Sequence, residues 1–410
     1  MTDVYLPSHL PAFPFSPPFT HFPIERVTFR FSSVAMPSFS NDLIQLPSLT
    51  ILLCISIISS LVLVFARFHG RAPTAPYAPS HNPPVNTQPT GYPPVEQLSD
   101  FDWKTKEPLK LRPFKPKYNL TMSIQDATVN ELIEMDKNYL DRVTLREKLM
   151  EQHPDQVSGA EYSAKAAVDE FYIWLVGTYL PTRFPTMFQL QSQKEIPHLL
   201  HCRITGKDYS LKPDMNPVVT LRTMGGLVDD DLLFLLPSED GDGYKLKAFV
   251  TCFPNGFNTA DKLNLKLRDI HKPVPGYKEK LETSMDRYLG RLKVGKFIKR
   301  ANWTITTTNK LFTATGNHLY EGEAVRKEEI DIETARVRCE RQMLHRLPES
   351  HAILFSFKTY LYPLPEIKSE GLGEALADAI DGLKQGNVPG FYFYKRAAVW
   401  GDSAKAYLRN

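Results

Sequence analysis

Ala335 to Tyr362 reads ARVRCERQMLHRLPESHAILFSFKTYLY. Two strand-like runs lie in it, Ala335 to His345 and His351 to Tyr362, joined by a connection of hairpin length. In the first run a period of two puts Val337, Cys339, Arg341 and Met343 on one face, and Arg336, Arg338, Glu340, Gln342 and Leu344 on the other. Working outward, Phe297 to Thr307 is a further strand-like run. Asp231 to Leu236 (DLLFLL), the turn signal SEDGDG and Tyr244 to Phe253 (YKLKAFVTCF) read as a hairpin. Helical periodicity appears over Thr128 to Asp136, Tyr139 to Gln152 and Glu161 to Leu180. It returns in two short helices, Thr259 to Ile270 and Tyr277 to Arg291, and in a last one over Gly371 to Lys384. About five strands, with helices before and among them, predict an α+β domain around an antiparallel sheet.

The 410 residues are 42% hydrophobic, enough for at least one large core, which excludes wholesale disorder. A formal charge of +3 gives no reason to invoke nucleic acid as a partner. The four cysteines (Cys54, Cys202, Cys252, Cys339) lie far apart, without the spacings of zinc or iron–sulfur sites. Proline divides the chain, since of 33 residues eight precede Leu49 and eight more fall between Ala72 and Val95. Between those blocks, Leu49 to Ala66 (LTILLCISIISSLVLVFA) carries no charge over 18 residues, a helix of about 27 Å that matches the hydrocarbon thickness of a bilayer. Residues 1–48 therefore read as a disordered tail, 49–66 as a transmembrane helix, 67–100 as a proline-rich linker and 101–410 as the folded domain. Met36 offers a second start. Arg67 and Arg71 follow the span while Asp42 precedes it, so the positive-inside rule puts the domain in the cytosol.

Several residues could carry chemistry. His271, in DIHKPVPGY, ends a helix just before two prolines that fix the chain direction, which suits a ligand. The same placement also suits an ordinary helix-end histidine bonded to the last carbonyls. Arg341 shares a face with apolar neighbours, so it needs an acceptor, either a carboxylate such as Glu340 of a neighbouring segment or the anionic group of a ligand. In KRANW, Arg300 and Asn302 point one way and Trp303 the other, so Trp303 reads as core and Asn302 as a pocket residue. FPNGF, Phe253 to Phe257, is a turn by composition. Asp229, Asp230 and Asp231 read either as a solvated loop or as an acidic cluster holding a divalent ion. With an anchor and a stem, the second reading makes a lumenal glycosyltransferase, whose sequons would be Asn119 to Thr121 and Asn302 to Thr304. No glycine-rich phosphate loop, HExxH pair or nucleophile elbow is present, which removes most support from hydrolase and kinase readings.

The ordered series FPNGF, ADKLNLKLRDIHKPVPGY, MDRYLGRL, RANW, VRCERQMLHRLP and ILFSFKTYLYPL resembles the haem-dependent oxidative N-demethylase family, over nearly all of Pro113 to Pro365. The resemblance implies a haem b in a PAS-like α+β fold, an axial histidine, and O₂-dependent oxidation of a small amine with release of formaldehyde. It carries the axial role to His271, with His345 and His351 as alternatives. It makes Arg341, Gln342 and Glu340 candidates for the catalytic pocket or for propionate pairing, Arg341 as the inward charge, and Arg300 and Asn302 candidates of the same kind. Anchor and stem are additions that imply a membrane-tethered fungal branch. No flavin or iron–sulfur signature accompanies them, so electrons would come from NAD(P)H through a separate reductase, in a microsomal arrangement at the endoplasmic reticulum. A haem-PAS sensor without turnover is the alternative from another class.

Overall fold

The computed structural model describes residues 91–194 and 196–410. The proposed tail, the anchor at Leu49 to Ala66 and most of the linker lie outside the described residues. Among those described, no helix is long and apolar enough to cross a membrane.

The domain is α+β, built on a seven-stranded, fully antiparallel sheet where about five strands were expected. In chain order its strands are β1 (Gln125–Ala127), β2 (Ser158–Ala160), β6 (Asp231–Pro237), β7 (Tyr244–Val250), β8 (Phe297–Thr306), β9 (Arg336–Arg346) and β10 (Ile353–Pro363). A separate sheet contains β3 (Phe188–Gln193), β4 (Ile196–Cys202) and β5 (Lys207–Ser210). The spatial order of the large sheet is β1-β8-β9-β10-β6-β7-β2. The two extra strands are three-residue edge pieces, too short to show an alternation in sequence.

One face of the sheet is covered by the helices Tyr139–Gln152, Lys165–Trp174 and Pro217–Leu227. Val143, Phe171 and Leu221 from these helices pack with Leu232, Phe234, Val250, Met343 and Leu354 from the strands, all of them buried. Each such large side chain contributes about 1.5–3 kcal/mol relative to exposure. Asn216 caps the third helix by accepting the Val218 N–H at 3.0 Å, and Pro217 follows at the first helical position. The expected helix over Thr128 to Asp136 is only a 3-10 turn, Val129–Glu131. Residues 91–100, which composition groups with the linker, lie on the domain: Tyr92 stacks on Trp174 at 3.8 Å and the Leu98 N–H bonds the Arg183 carbonyl at 3.0 Å.

Asp229, Asp230 and Asp231 form neither a solvated loop nor a metal cluster. All three are buried. Asp231 binds Arg146 at 2.6 Å and accepts the N–H groups of Cys252 and Phe253 at 2.7 and 2.9 Å. Asp229 faces Lys358 at 3.3 Å, which also pairs with Asp136 at 2.9 Å. Asp230 has no hydrogen-bond partner among the described residues, and burial pushes its carboxyl up to about 7.

Asp231→Ala should cost about 3–5 kcal/mol in urea unfolding, because it strands a buried arginine and two N–H donors; a loss below about 1 kcal/mol would contradict that role. For Asp230 the folded pKa lies above the unfolded one, so the folded state binds the extra proton and stability falls as pH rises from about 4 to 7. Asp230→Asn should flatten that fall, and an unchanged pH profile would count against it.

Candidate haem cavity on the open face of the sheet

The face away from those helices is the wall of a cavity of about 370 Å³, within the range of cofactor sites. Alternation decides which side chains reach it. Ile298, Arg300, Asn302 and Thr304 come from β8, Glu340, Gln342 and Leu344 from β9, and Phe355 and Phe357 from β10. Register places Arg300 opposite Gln342, Asn302 opposite Glu340 and Gln342 opposite Phe357. The wall is thus polar over β8 and β9 and apolar over β10, β6 and β7, where Leu233, Leu235 and Leu246 continue it. Chain from Asn255 to Leu289, the segments Tyr118 to Ile124 and Phe391 to Lys395, and His318 and Tyr320 supply the remaining walls.

His271 caps the short helix Leu267–Ile270 and lines the cavity. Its Nδ1 lies 2.7 Å from the Leu267 carbonyl oxygen. A carbonyl only accepts, so Nδ1 carries the proton and Nε2 keeps a free lone pair. The ring stacks on Tyr277 at 4.6 Å, and burial pulls its pKa down to about 4, leaving it neutral at pH 7. An imidazole whose second nitrogen donates to a backbone carbonyl is the arrangement of a metal ligand. The helix-end reading of this histidine is what the structure shows, and the same bond orients the ring with Nε2 left free.

Glu340 accepts from the Gln342 amide at 2.9 Å and is the one acidic residue on the cavity wall among the described residues. Lys395 donates to Asn302 Oδ1 at 2.9 Å and to the Trp303 carbonyl. Lys262 lies over Phe257 at 4.1 Å, forms no ion pair among the described residues, and is pulled down to about 8 by burial. His318 stacks on Tyr394 at 4.5 Å and is pulled down to about 4, again by burial. On the same face of β9 as Glu340, beside the cavity, the buried Arg338 guanidinium donates to the carbonyls of Phe253, Pro254 and Leu311 at 2.6, 3.1 and 3.0 Å, fixing the FPNGF turn. That turn places Gly256 at φ +77° against His318.

Five of the six residues singled out from the sequence therefore share one cavity: His271, Arg300, Asn302, Glu340 and Gln342. Arg341, expected as the inward charge of the pocket, is the exception. It is buried on the helical face, bonded to the Glu131 carbonyl and 3.8 Å from Glu134. Both faces of β9 are covered, so alternation separates Arg341 from Glu340 and Gln342 without revealing which set meets the cavity. Of the residues not anticipated, Lys262 lies within ADKLNLKLRDIHKPVPGY, whereas His318 has no local signal. His345, one alternative ligand, is buried against Phe297 at 4.6 Å and does not line the cavity.

The family model of the haem-dependent oxidative N-demethylase, alpha subunit-like, matches residues 123–405, more than half of the chain. The chain belongs to that family, whose chemistry is haem-dependent oxidoreduction. The residues present fit the group. An apolar wall suits a macrocycle, His271 offers a neutral donor nitrogen, and the Arg300 and Lys262 cations, unpaired among the described residues, suit carboxylate side arms.

Gly256→Ala tests the geometry. The added Cβ would meet His318 Nδ1 at 2.7 Å and Asn317 Cβ at 2.8 Å in a left-handed conformation. A loss of about 1–3 kcal/mol in denaturant unfolding is expected, and full stability would show that the turn does not pack as described.

Proposed function

We propose that this chain is a haem b-dependent monooxygenase that oxidatively N-demethylates a small amine or related metabolite, using O₂ and electrons from a separate NAD(P)H-driven reductase. The observation that carries the reading is His271, a neutral, carbonyl-oriented imidazole on a cavity whose wall is polar over β8 and β9 and apolar over β10, β6 and β7. Haem, when bound, supplies the activation of O₂. His271 would hold the iron through Nε2. Arg300 and Asn302 stand at the polar end to bind the haem. Glu340, held by Gln342, is placed to bind the amine nitrogen or to take up its proton. Arg341, outside the cavity, positions β9 by tying it to Glu131 and Glu134.

The balance requires two electrons and two protons per O₂, with one oxygen atom leaving in formaldehyde, the other in water, and an N–H replacing the N–CH₃. The alpha-subunit name of the family implies partner subunits, which suits an external electron donor. The antiparallel sheet with helices over one face supports a PAS-like description of the fold. Tethering by Leu49 to Ala66, with the domain on the cytosolic side of the endoplasmic reticulum beside an anchored reductase, rests on the uncharged span and on Arg67 and Arg71.

The test is turnover by the haem-loaded full chain with a reductase and a panel of N-methylated amines. Amine-dependent O₂ uptake matched by formaldehyde is expected, and Glu340→Gln should lower it about 10²-fold. Haem binding without formaldehyde from any amine would contradict turnover and leave the sensor reading.

A further inference from the structure

A second cavity, about 400 Å³, adjoins the first along the edge of β8. It opens where β1 ends: the last pair of that ladder is Gln125 with Lys299, and β8 from Arg300 onward has no strand on that side. Its lining differs in kind from the first. Lys115 and Lys117 lie on the chain that covers the edge, among hydroxyl and amide side chains such as Thr121, Ser123 and Gln125, and no acidic residue lines it among those described. Tyr118, Arg300 and Asn302 belong to both cavities.

Arg300 stands at this junction without a partner. Its side chain makes no ion pair and no hydrogen bond with the described residues; its Nε is closed off from solvent, while the residue as a whole is half-buried. The nearby acid, Glu340, is held by Gln342, and Asn302 is held by Lys395. Lys115 and Lys117 are exposed and form no ion pairs among the described residues. A guanidinium partly withdrawn from water favours an anion beside it, and its planar fork matches a carboxylate in two parallel hydrogen bonds. Arg300, Lys115 and Lys117 line the second cavity together, and no acidic residue lines it among those described.

We propose that Arg300, backed by Lys115 and Lys117, forms a carboxylate-binding site at the junction of the two cavities, so that a bound molecule lies with its apolar or reacting part against His271 and Glu340 and its carboxylate toward the second cavity. Two sources share that chemistry. One is a haem propionate, which rests on the function proposed above. The other is the carboxylate of an N-methylated amino acid, which would define the substrate class.

The experiment uses the full chain in its haem-free form, with haem b, haem dimethyl ester, N-methylglycine and dimethylamine as probes. If the carboxylate is a propionate, wild type should bind haem b about tenfold or more tightly than the ester, and Arg300→Gln should erase most of that ratio. If it belongs to the substrate, Arg300→Gln should leave the ratio intact and weaken N-methylglycine, measured by calorimetry, about tenfold without changing dimethylamine. The pair Lys115→Gln and Lys117→Gln, both exposed, should weaken the same probe roughly threefold, a result that stands even if Arg300→Gln fails to fold. Should haem not bind wild type at all, the haem reading fails, and N-methylglycine binding alone decides the carboxylate site. Equal affinities for probes with and without a free carboxylate in wild type, or no change in any variant, would overturn the proposal.

Discussion

Everything at the site depends on the register of β8 against β9. Arg300 opposite Gln342 and Asn302 opposite Glu340 bring four polar side chains onto one face. A slip of a single residue would send them into the helical core and turn Trp303, Cys339 and Arg341 toward the cavity. The register is fixed from both sides, because Ile305, Val337, Cys339 and Met343 are buried on the other face and could not be exchanged for charged groups without large cost. Burial of the apolar set therefore does the work of aiming the polar set.

The second constraint comes from arginines that act on backbone. Arg146 holds Asp231, which in turn holds the N–H groups of Cys252 and Phe253, and Arg338 takes the carbonyls of Phe253 and Pro254. The same short stretch is gripped by an anion through its donors and by a cation through its acceptors. The turn that follows carries Gly256 against His318, and the chain beyond it leads through Lys262 to His271. A buried charge network thus anchors the chain that packs against His318 and leads on to His271.

Much of this was legible in the sequence. The strands β8, β9 and β10 and the helix Tyr139–Gln152 follow their periodicities closely, because each has a long, consistently buried face. The small sheet escaped notice because FQLQSQ and KDYS are half-exposed and carry few large apolar residues. The helix Pro217–Leu227 has a start signal in Asn216 and Pro217, but adjacent glycines break its helical pattern, and Ala397–Arg409 begins from a left-handed Arg396 without a side-chain cap. At the site, alternation grouped Arg300 with Asn302 and Glu340 with Gln342, and the family resemblance selected His271. Lys262 and His318 reach the cavity from separate loops, a matter of tertiary approach that no local pattern records. Arg341 shows the converse: its burial was legible and its direction was not, because covered faces on both sides of a strand look alike in one dimension.

In the proposed function, haem on the open face of the sheet would be held through Nε2 of His271. That reading is tested most directly by the visible absorption of the haem-loaded full chain, as isolated and after dithionite and carbon monoxide, in wild type and in His271→Gly with and without added imidazole. A Soret band that moves on reduction and on carbon monoxide is expected in wild type, with a changed or lost band in the variant and recovery of the wild-type spectrum when imidazole fills the gap. A His271→Gly spectrum identical to wild type would move the ligand to another residue, and no Soret band in wild type would contradict the account.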